Sequence, residues 1–360
     1  MKGFDYSNVR ISGISCVLPE RKTMTRDYIG HFQEKEIEKF IQTTGIEQRY
    51  LSNGKQTAGD FCYIAADNLM KHKNLSGNDI DAIIFMTQEP DYYSPATAFT
   101  LHKRLGVKKE CLVFDANIGC SSFTVGLATV GGLIQCGMIE RALLLIGDAK
   151  CAPPDNDNTT DTLMFGAAGT ATLLEKGDAR LYGINMSDGS GYDVIIEPAP
   201  GMRFPHAKAI VGQDTYFNND DTFLFTITEV PKLFKEFFKL YGNTIDDFDY
   251  YMLHQPNLMI LNHIAKRIKI PDGRMHVSIN RYGNTDGATI PLGIADLCIN
   301  NNSLPSKLHL ISSGFGIGLS WGIAAFELNI SDVLPIVYTD YYWEEGFEIG
   351  KQFGYEGATS

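Results

Sequence analysis

Three segments from the first half of the chain recur, in the same order, in the second half, and this repeat limits the possible folds more than any other feature. Asp79-Ile80-Asp81 followed by AIIFMTQEP parallels Asp247-Phe248-Asp249 followed by YYMLHQP: an acidic turn, an apolar strand, a polar strand end and a proline. VFDANIGCSS parallels VSINRYGNTD, each read as a strand and a glycine leading into a helix start, which sets Cys120 opposite Asn284. RALLLIGDA parallels KLHLISSGF as a third strand. All three pairs fall at offsets of about 164 to 168 residues, so a duplicated α/β unit is expected.

The apolar runs Ala82 to Met86, Leu112 to Phe114 and Leu143 to Ile146 read as buried parallel strands. Between the last two, Cys120 to Gly137 is uncharged and apolar around most of its circumference, the pattern of a helix enclosed on all sides. Strand alternating with helix implies α/β layering. Two such halves, packed sheet beside sheet with the apolar helices between them, would turn their strand ends toward one crevice, where open α/β sheets bind ligands. Cys120, His254 and Asn284 are each expected at or just beyond a strand end.

With 360 residues, 44% of them hydrophobic, the chain can bury one large core or two fused ones. The opening MKGFDYSNVR has no apolar signal segment and no aliphatic run is long enough to span a bilayer, so a cytoplasmic protein without a membrane partner is expected. The seven cysteines are scattered without a CxxC pair, so reduced thiols are expected rather than a disulfide framework or a metal site. A formal charge of −12 argues against nucleic acid as the partner.

Cys120 follows Gly119 and opens the apolar helix, where unpaired N–H groups and the helix dipole favour a thiolate able to attack a thioester. The bland alternative is a small buried residue, the usual fate of a free cysteine. His254 ends the strand YYML, and its imidazole would project into the crevice as a proton donor or acceptor; the alternative is a hydrogen-bonded core histidine. Asn284 lies in Tyr-Gly-Asn-Thr-Asp-Gly, by itself an ordinary turn, and its position opposite Cys120 is what singles it out.

ANIGCSSF, LHQPN, YGNTDGATIP and SGFGIGLSWG, with Thr44-Gly45-Ile46 and Phe165-Gly166 as further anchors, resemble in order and spacing the landmark motifs of the ketoacyl-ACP synthase III family, within the thiolase superfamily. The resemblance runs from about residue 8 to residue 328. It implies a thiolase fold, duplicated α/β halves in a five-layer αβαβα sandwich, with residues 1–175 carrying the cysteine, 176–328 carrying the histidine and asparagine, and 329–360 an acidic, aromatic extension. It also implies a homodimer, acyl-carrier-protein or coenzyme A thioesters as substrates, and no metal or prosthetic group. An acyl group would load onto Cys120, with the oxyanion held by the backbone N–H groups of Cys120 and Ile317. A malonyl thioester would then decarboxylate, with His254 and Asn284 on its enolate oxygen, and the carbanion would attack the acyl carbonyl.

The chain departs from the family pattern in several places. Lys39 and Thr43 stand where members that bind the adenine of coenzyme A carry Trp and Arg, which favours a carrier-bound donor. Ser94 stands where a phenylalanine gate reaches into the partner subunit's acyl pocket, which implies room for a larger or more polar acyl group. Phe165-Gly166-Ala167-Ala168-Gly169-Thr170 replaces Phe-Gly-Asp-Gly-Ala-Gly, and Met259 replaces a carrier-docking arginine; Lys266, Arg267 and Lys269 could meet an acidic carrier instead. Glu89 stands where a small polar residue is usual, and relatives that condense without decarboxylation take a catalytic base from this neighbourhood. The leading expectation is a decarboxylating synthase of a specialised pathway. The alternatives are an acyltransferase passing the Cys120 acyl group to oxygen or nitrogen, a non-decarboxylating Claisen enzyme with Glu89 as base, and a silent subunit of a heterodimeric synthase.

Overall fold

A computed structural model describes residues 2–151, 163–198, 202–204 and 215–353. The strands are β1 (Phe4–Tyr6), β2 (Val9–Pro19), β3 (Lys22–Met24), β4 (Gln48–Tyr50), β5 (Ala82–Met86), β6 (Leu112–Ala116), β7 (Arg141–Asp148), β8 (Ala168–Lys176), β9 (Leu181–Ser187), β10 (Ile195–Ile196), β11 (Tyr216–Phe217), β12 (Tyr250–Leu253), β13 (Lys307–Gly316), β14 (Ser320–Asn329) and β15 (Val337–Thr339). The helices are α1 (Glu34–Thr44), α2 (Ala58–His72), α3 (Thr97–Arg104), α4 (Ser122–Gln135), α5 (Asn219–Tyr241), α6 (Leu258–Ile268), α7 (Ile279–Tyr282), α8 (Thr289–Asn300) and α9 (Glu344–Gln352).

One sheet runs β15-β2-β8-β7-β5-β6 and the other β1-β9-β14-β13-β12. In the first, β6, β5 and β7 are parallel while β8 and β2 run antiparallel; in the second, β12 and β13 are parallel and β14 and β9 antiparallel. The repeat is therefore real for β5 with β12 and for β7 with β13. It fails at the middle pair: Val277 to Asn280, expected as a strand, passes from coil into the short helix α7. Asn284 consequently follows a helix, not a strand.

Strand alternation divides the core into layers. On β7, Ala142, Leu144 and Ile146 point toward the middle of the molecule, and Leu143 and Leu145 point outward. The inner face packs on α4 through Phe123, Leu127 and Val130, and on α8 through Ile290, Ile294 and Leu297. The outer face of this sheet is covered by α2 and α3. The outer face of the other sheet is covered by α5 and α6, with Phe234, Phe237 and Leu261 against Tyr251, Ile311 and Ile323. The result is the thiolase-like αβαβα sandwich, and α4 is apolar all round because it lies between two sheets.

The extension beyond Leu328 packs on the body of the same chain. β15 pairs parallel with β2 as the outer strand of the first sheet. Trp343 N–H donates to Asp60 Oδ1 at 3.1 Å, and the Tyr92 hydroxyl donates to Gly346 O at 2.8 Å. Beneath it, Arg104 pairs with Asp60 at 2.9 Å and lies 4.3 Å from the Tyr63 ring and 5.1 Å from the Trp343 ring. The aromatic residues thus enclose a buried cation in π faces.

A second buried polar knot fixes the segment that carries Asn284. Asp296 on α8 is fully buried and accepts from Tyr282 Oη at 2.8 Å, Asn300 Nδ2 at 2.9 Å, His276 Nε2 at 2.8 Å, and the Arg281 guanidinium. Burial opposes its charge, but the hydrogen bonds from His276, Arg281 and Tyr282 outweigh this and hold the carboxyl below its usual range. Its stabilisation is fully present above the unfolded carboxylate value and is lost as pH falls through the lowered folded value. Replacing Asp296 with Asn leaves Arg281 facing a neutral partner, and urea unfolding should show a loss of about 3 kcal/mol at neutral pH that shrinks on acidification.

Candidate active site

Cys120 follows β6 through the loop of residues 117–119, and Gly119 O accepts the Ser122 N–H at 2.8 Å as α4 begins. The second sheet brings the β13–β14 turn over this loop. A Cβ on Gly316 would lie 2.6 Å from Cys120 Sγ, so only glycine lets that turn approach the sulfur. The approach puts the Ile317 N–H, together with the Cys120 N–H, in position to donate toward Sγ.

His254 immediately follows β12, and its N–H donates to Ser313 O at 2.8 Å, fixing the residue to the neighbouring strand. Nδ1 lies 2.8 Å from Thr289 Oγ1, and the imidazole also lies beside the Asp286 carbonyl, leaving Nε2 for the cavity. Phe315 meets the ring edge-on at 5.5 Å. Burial among these groups lowers the imidazole from 6.5 to about 3, so it is neutral in the working range.

Asn284 is buried, its N–H donating to Met164 O at 3.0 Å and its carbonyl accepting from Gly166 N–H at 2.9 Å. Its side-chain Oδ1 accepts the Asp286 N–H at 2.9 Å, which sets the amide orientation and leaves the NH2 group as a donor. Cys120, His254 and Asn284 line one cavity of about 310 Å³, walled by Phe165, Phe217, Phe223 and Phe315 among others. A thiol under two N–H groups, a neutral imidazole and a carboxamide donor meet there. Such a set can form an acyl-enzyme and stabilise an enolate oxygen.

The cavity also carries charge. Glu89 Oε2 accepts the Ala149 N–H at 2.6 Å, and its other oxygen pairs with Lys150 Nζ. Asp148 Oδ1 accepts from Thr87 Oγ1 and from the Gln88 N–H, both at 3.0 Å. Asp286 faces Cys120 from a backbone with φ of 50°. Burial raises both Asp148 and Asp286 above the usual carboxyl range; for Lys150 burial works against the charge, but the pairing with Glu89 and the nearby Asp148 outweigh it and raise the ammonium.

Two family profiles match the chain: 3-oxoacyl-[acyl-carrier-protein (ACP)] synthase III over residues 114–189, and the C-terminal part of that synthase over residues 239–328. A crystal structure of 3-oxoacyl-(acyl-carrier protein) synthase from Burkholderia xenovorans is 31% identical with a TM-score of 0.86, over 94% of this chain and 99% of that one. The chain belongs to the 3-oxoacyl-ACP synthase III family. A putative 3-oxoacyl-[acyl-carrier-protein] synthase 3 from Campylobacter jejuni is 28% identical over 357 residues, 93% of this chain and 98% of its own length. A beta-ketoacyl-[acyl-carrier-protein] synthase III from Clostridium perfringens is 29% identical over 326 residues, 89% of this chain and 99% of its own. The protein is thus a synthase III-like condensing enzyme of the thiolase superfamily. Among the described residues no helix is long and apolar enough to cross a membrane.

The other positions singled out in this synthase III-family sequence are spread more widely. Glu89 and Ile317 line the cavity with the three central residues. Ser94 is exposed on the loop before α3 and does not line it, while the adjacent Tyr93 is 84% exposed. Lys39 and Thr43 are exposed on α1. Lys266 and Arg267 are exposed in the last turn of α6; Lys269, expected on the same helix, is its left-handed cap. Sequence reasoning passed over Asp148, Lys150, Asp286 and Thr289. The available signal for Asp286 was its place two residues after Asn284, and a turn-forming Asp-Gly masks any catalytic reading.

Because His254 is buried as a neutral ring, its 15N shifts should remain those of neutral imidazole from neutral pH down to about 4. The unfolded chain takes up this proton first as pH falls below 6.5, so His254 lowers stability progressively from about pH 6.5 down to about 3, while the folded ring, staying neutral, adds no acid limb near pH 6 to activity.

Proposed function

We propose that the enzyme transfers an acyl group from a thioester to Cys120 and then condenses it with a malonyl thioester, losing carbon dioxide and releasing a β-ketoacyl thioester. The observation that carries this reading is the meeting of Cys120, His254 and Asn284 on one cavity, beneath the N–H groups of Cys120 and Ile317. In the first half-reaction those two N–H groups would hold the oxyanion formed at the donor carbonyl. In the second, loss of carbon dioxide leaves an enolate whose oxygen takes hydrogen bonds from the Asn284 amide and from His254 Nε2–H, in the tautomer where the Thr289 hydroxyl turns its proton from the Asp286 carbonyl to Nδ1. The carbanion attacks the acyl carbonyl, and Cys120 departs as thiolate.

The donor is proposed to be carrier-bound, since α1 offers Lys39 and Thr43 in place of an aromatic clamp for adenine. Lys266, Arg267 and Lys269 form the proposed contact with an acidic carrier; a chain of net charge −12 needs such a local basic patch to meet it. A homodimer is proposed through β6, which among the described residues bonds only to β5 and is an edge of its sheet. In that arrangement the Tyr93–Ser94 loop would reach the partner's acyl pocket.

A second reading, condensation without decarboxylation using Glu89 as base, is favoured by the presence of Glu89 in the cavity. Both its oxygens are already engaged by Lys150 and Ala149, which is why the malonyl reading leads.

Incubation with acyl-ACP and acyl-CoA donors should add the acyl mass to Cys120, and addition of malonyl-ACP should release labelled carbon dioxide with the β-ketoacyl product. Cys120→Ala should abolish the adduct, and Asn284→Ala should slow condensation by about 100- to 1000-fold with acylation retained. Product formed from two acyl thioesters without carbon dioxide, and lost in Glu89→Gln, would transfer the assignment to the second reading. No adduct with any donor would leave only a non-catalytic subunit.

A further inference from the structure

We infer that Asp286 is a further catalytic residue, the group that accepts the Cys120 thiol proton and returns it to the departing thiolate of the acyl donor. This rests on Cys120 being the acyl carrier. The Asp286 carboxyl is within hydrogen-bonding reach of the Cys120 thiol. Both residues line the cavity, and Oδ1 is buried without a hydrogen-bond partner among the described residues. An unpartnered buried carboxylate oxygen is costly. Beside a thiol it is relieved whenever the proton crosses to it.

The backbone of Asp286 reaches the other two members of the site. Its N–H donates to Asn284 Oδ1 at 2.9 Å, and its carbonyl accepts from Thr289 Oγ1, 2.8 Å away, which in turn holds His254 Nδ1. The residue achieves this at φ of 50°, a left-handed conformation that aspartate and asparagine tolerate better than other side chains. Gly287 next to it allows the approach, since a Cβ there would lie 2.0 Å from Ser122 Oγ and 3.0 Å from Gly119 O.

Electrostatics explains why a thiol at this position needs such a neighbour. Burial, and then the nearby Asp286 charge, push the Cys120 thiol well above its ordinary range, so direct ionisation would place two negative charges in contact. Proton transfer within the pair avoids this: one charge moves from oxygen to sulfur and none is created. The sulfur end is favoured by the N–H groups of Cys120 and Ile317. His254 does not serve, being lowered to about 3 by burial.

The step balances. Cys120 S–H gives its proton to the Asp286 carboxylate, and the thiolate adds to the donor's thioester carbon. As the tetrahedral intermediate collapses, the carbon–sulfur bond to the donor breaks. The leaving thiolate takes the proton from Asp286, regenerating the carboxylate beside acyl-Cys120.

The groups facing the pair are Glu89 beyond β5, Asp148 and Lys150 at and beyond the end of β7, and His254 beyond β12. Peptide-resolved mass spectrometry of Cys120 would follow alkylation by iodoacetamide and acylation by an N-acetylcysteamine thioester, in wild type and in Asp286→Asn. Asparagine keeps the left-handed backbone and the shape but not the proton acceptor. Wild-type rates should be nearly flat between about pH 6.5 and 8.5, because the pair keeps one shared proton; the variant should react about 100-fold more slowly at neutral pH and rise about tenfold per unit. If Asp286 were only a repulsive charge, neutralising it would ease thiolate formation, so an equal or faster variant overturns the inference. A flat profile lost in Asp148→Asn but kept in Asp286→Asn overturns it too. Should Asp286→Asn not fold, a wild-type rate rising tenfold per unit across that range overturns it alone. Absence of any acyl adduct in wild type would instead count against the proposed function, while the iodoacetamide profile still tests Asp286.

Discussion

The site depends on how closely two loops from opposite halves of the molecule approach. The turn carrying Cys120 belongs to the first sheet, and the Gly316–Ile317 turn and the Asn284–Gly287 segment belong to the second half. They meet only because glycines stand where side chains would collide with Cys120 Sγ and Ser122 Oγ. The approach is enforced from below, since α4 and α8 fill the space between the sheets with apolar side chains and cannot be displaced without opening the core. Close packing between the halves therefore turns a cysteine at the mouth of a buried helix into one facing a histidine and an asparagine.

Polar groups at such a junction have to be accounted for individually. Asp296 is satisfied by four partners and anchors the start of the Asn284 segment from beneath. Asp148 and Glu89 are also held, by backbone N–H groups and by Thr87 or Lys150. The Asp286 carboxyl, which faces the sulfur, is the exception: its Oδ1 is buried with no hydrogen-bond partner among the described residues. A fold that satisfies the surrounding carboxylates and leaves this one short concentrates its unsatisfied polarity where bonds are to be made.

The extension beyond Leu328 completes the first sheet instead of trailing from it. β15 lies against β2, and Trp343 and Tyr341 cover the Arg104–Asp60 pair, which would otherwise be a buried ion pair open to solvent on one side. Its aromatic, acidic composition suggested an arm packed on a surface; which surface was a matter of three-dimensional proximity, decided by Asp60 at the head of α2.

The chain's own pattern was enough to place β5, β7 and β12, because strands buried on both faces stand out as unbroken apolar runs, and enough to mark α4, because a helix between two sheets has no polar face; the repeat added β13, while β6, expected as a buried strand, is half-buried along its length because it is a sheet edge. Spacing between like segments brought Cys120, His254 and Asn284 forward together. It misread Val277 to Asn280 as a strand, since four residues of that composition suit a short helix equally and only tertiary contacts, with β4 and with Asp296 of α8, decide. It also missed the antiparallel strands β8, β9 and β14; β8 pairs with β2 and β9 with β14 across long stretches of sequence, and β14 turns straight back on β13. Local pattern thus determined the layers and the three central residues. The charged companions of the sulfur, Asp286 above all, were decided by tertiary structure, because a hydrogen bond between residues so distant in sequence exists only once the two halves have closed on each other.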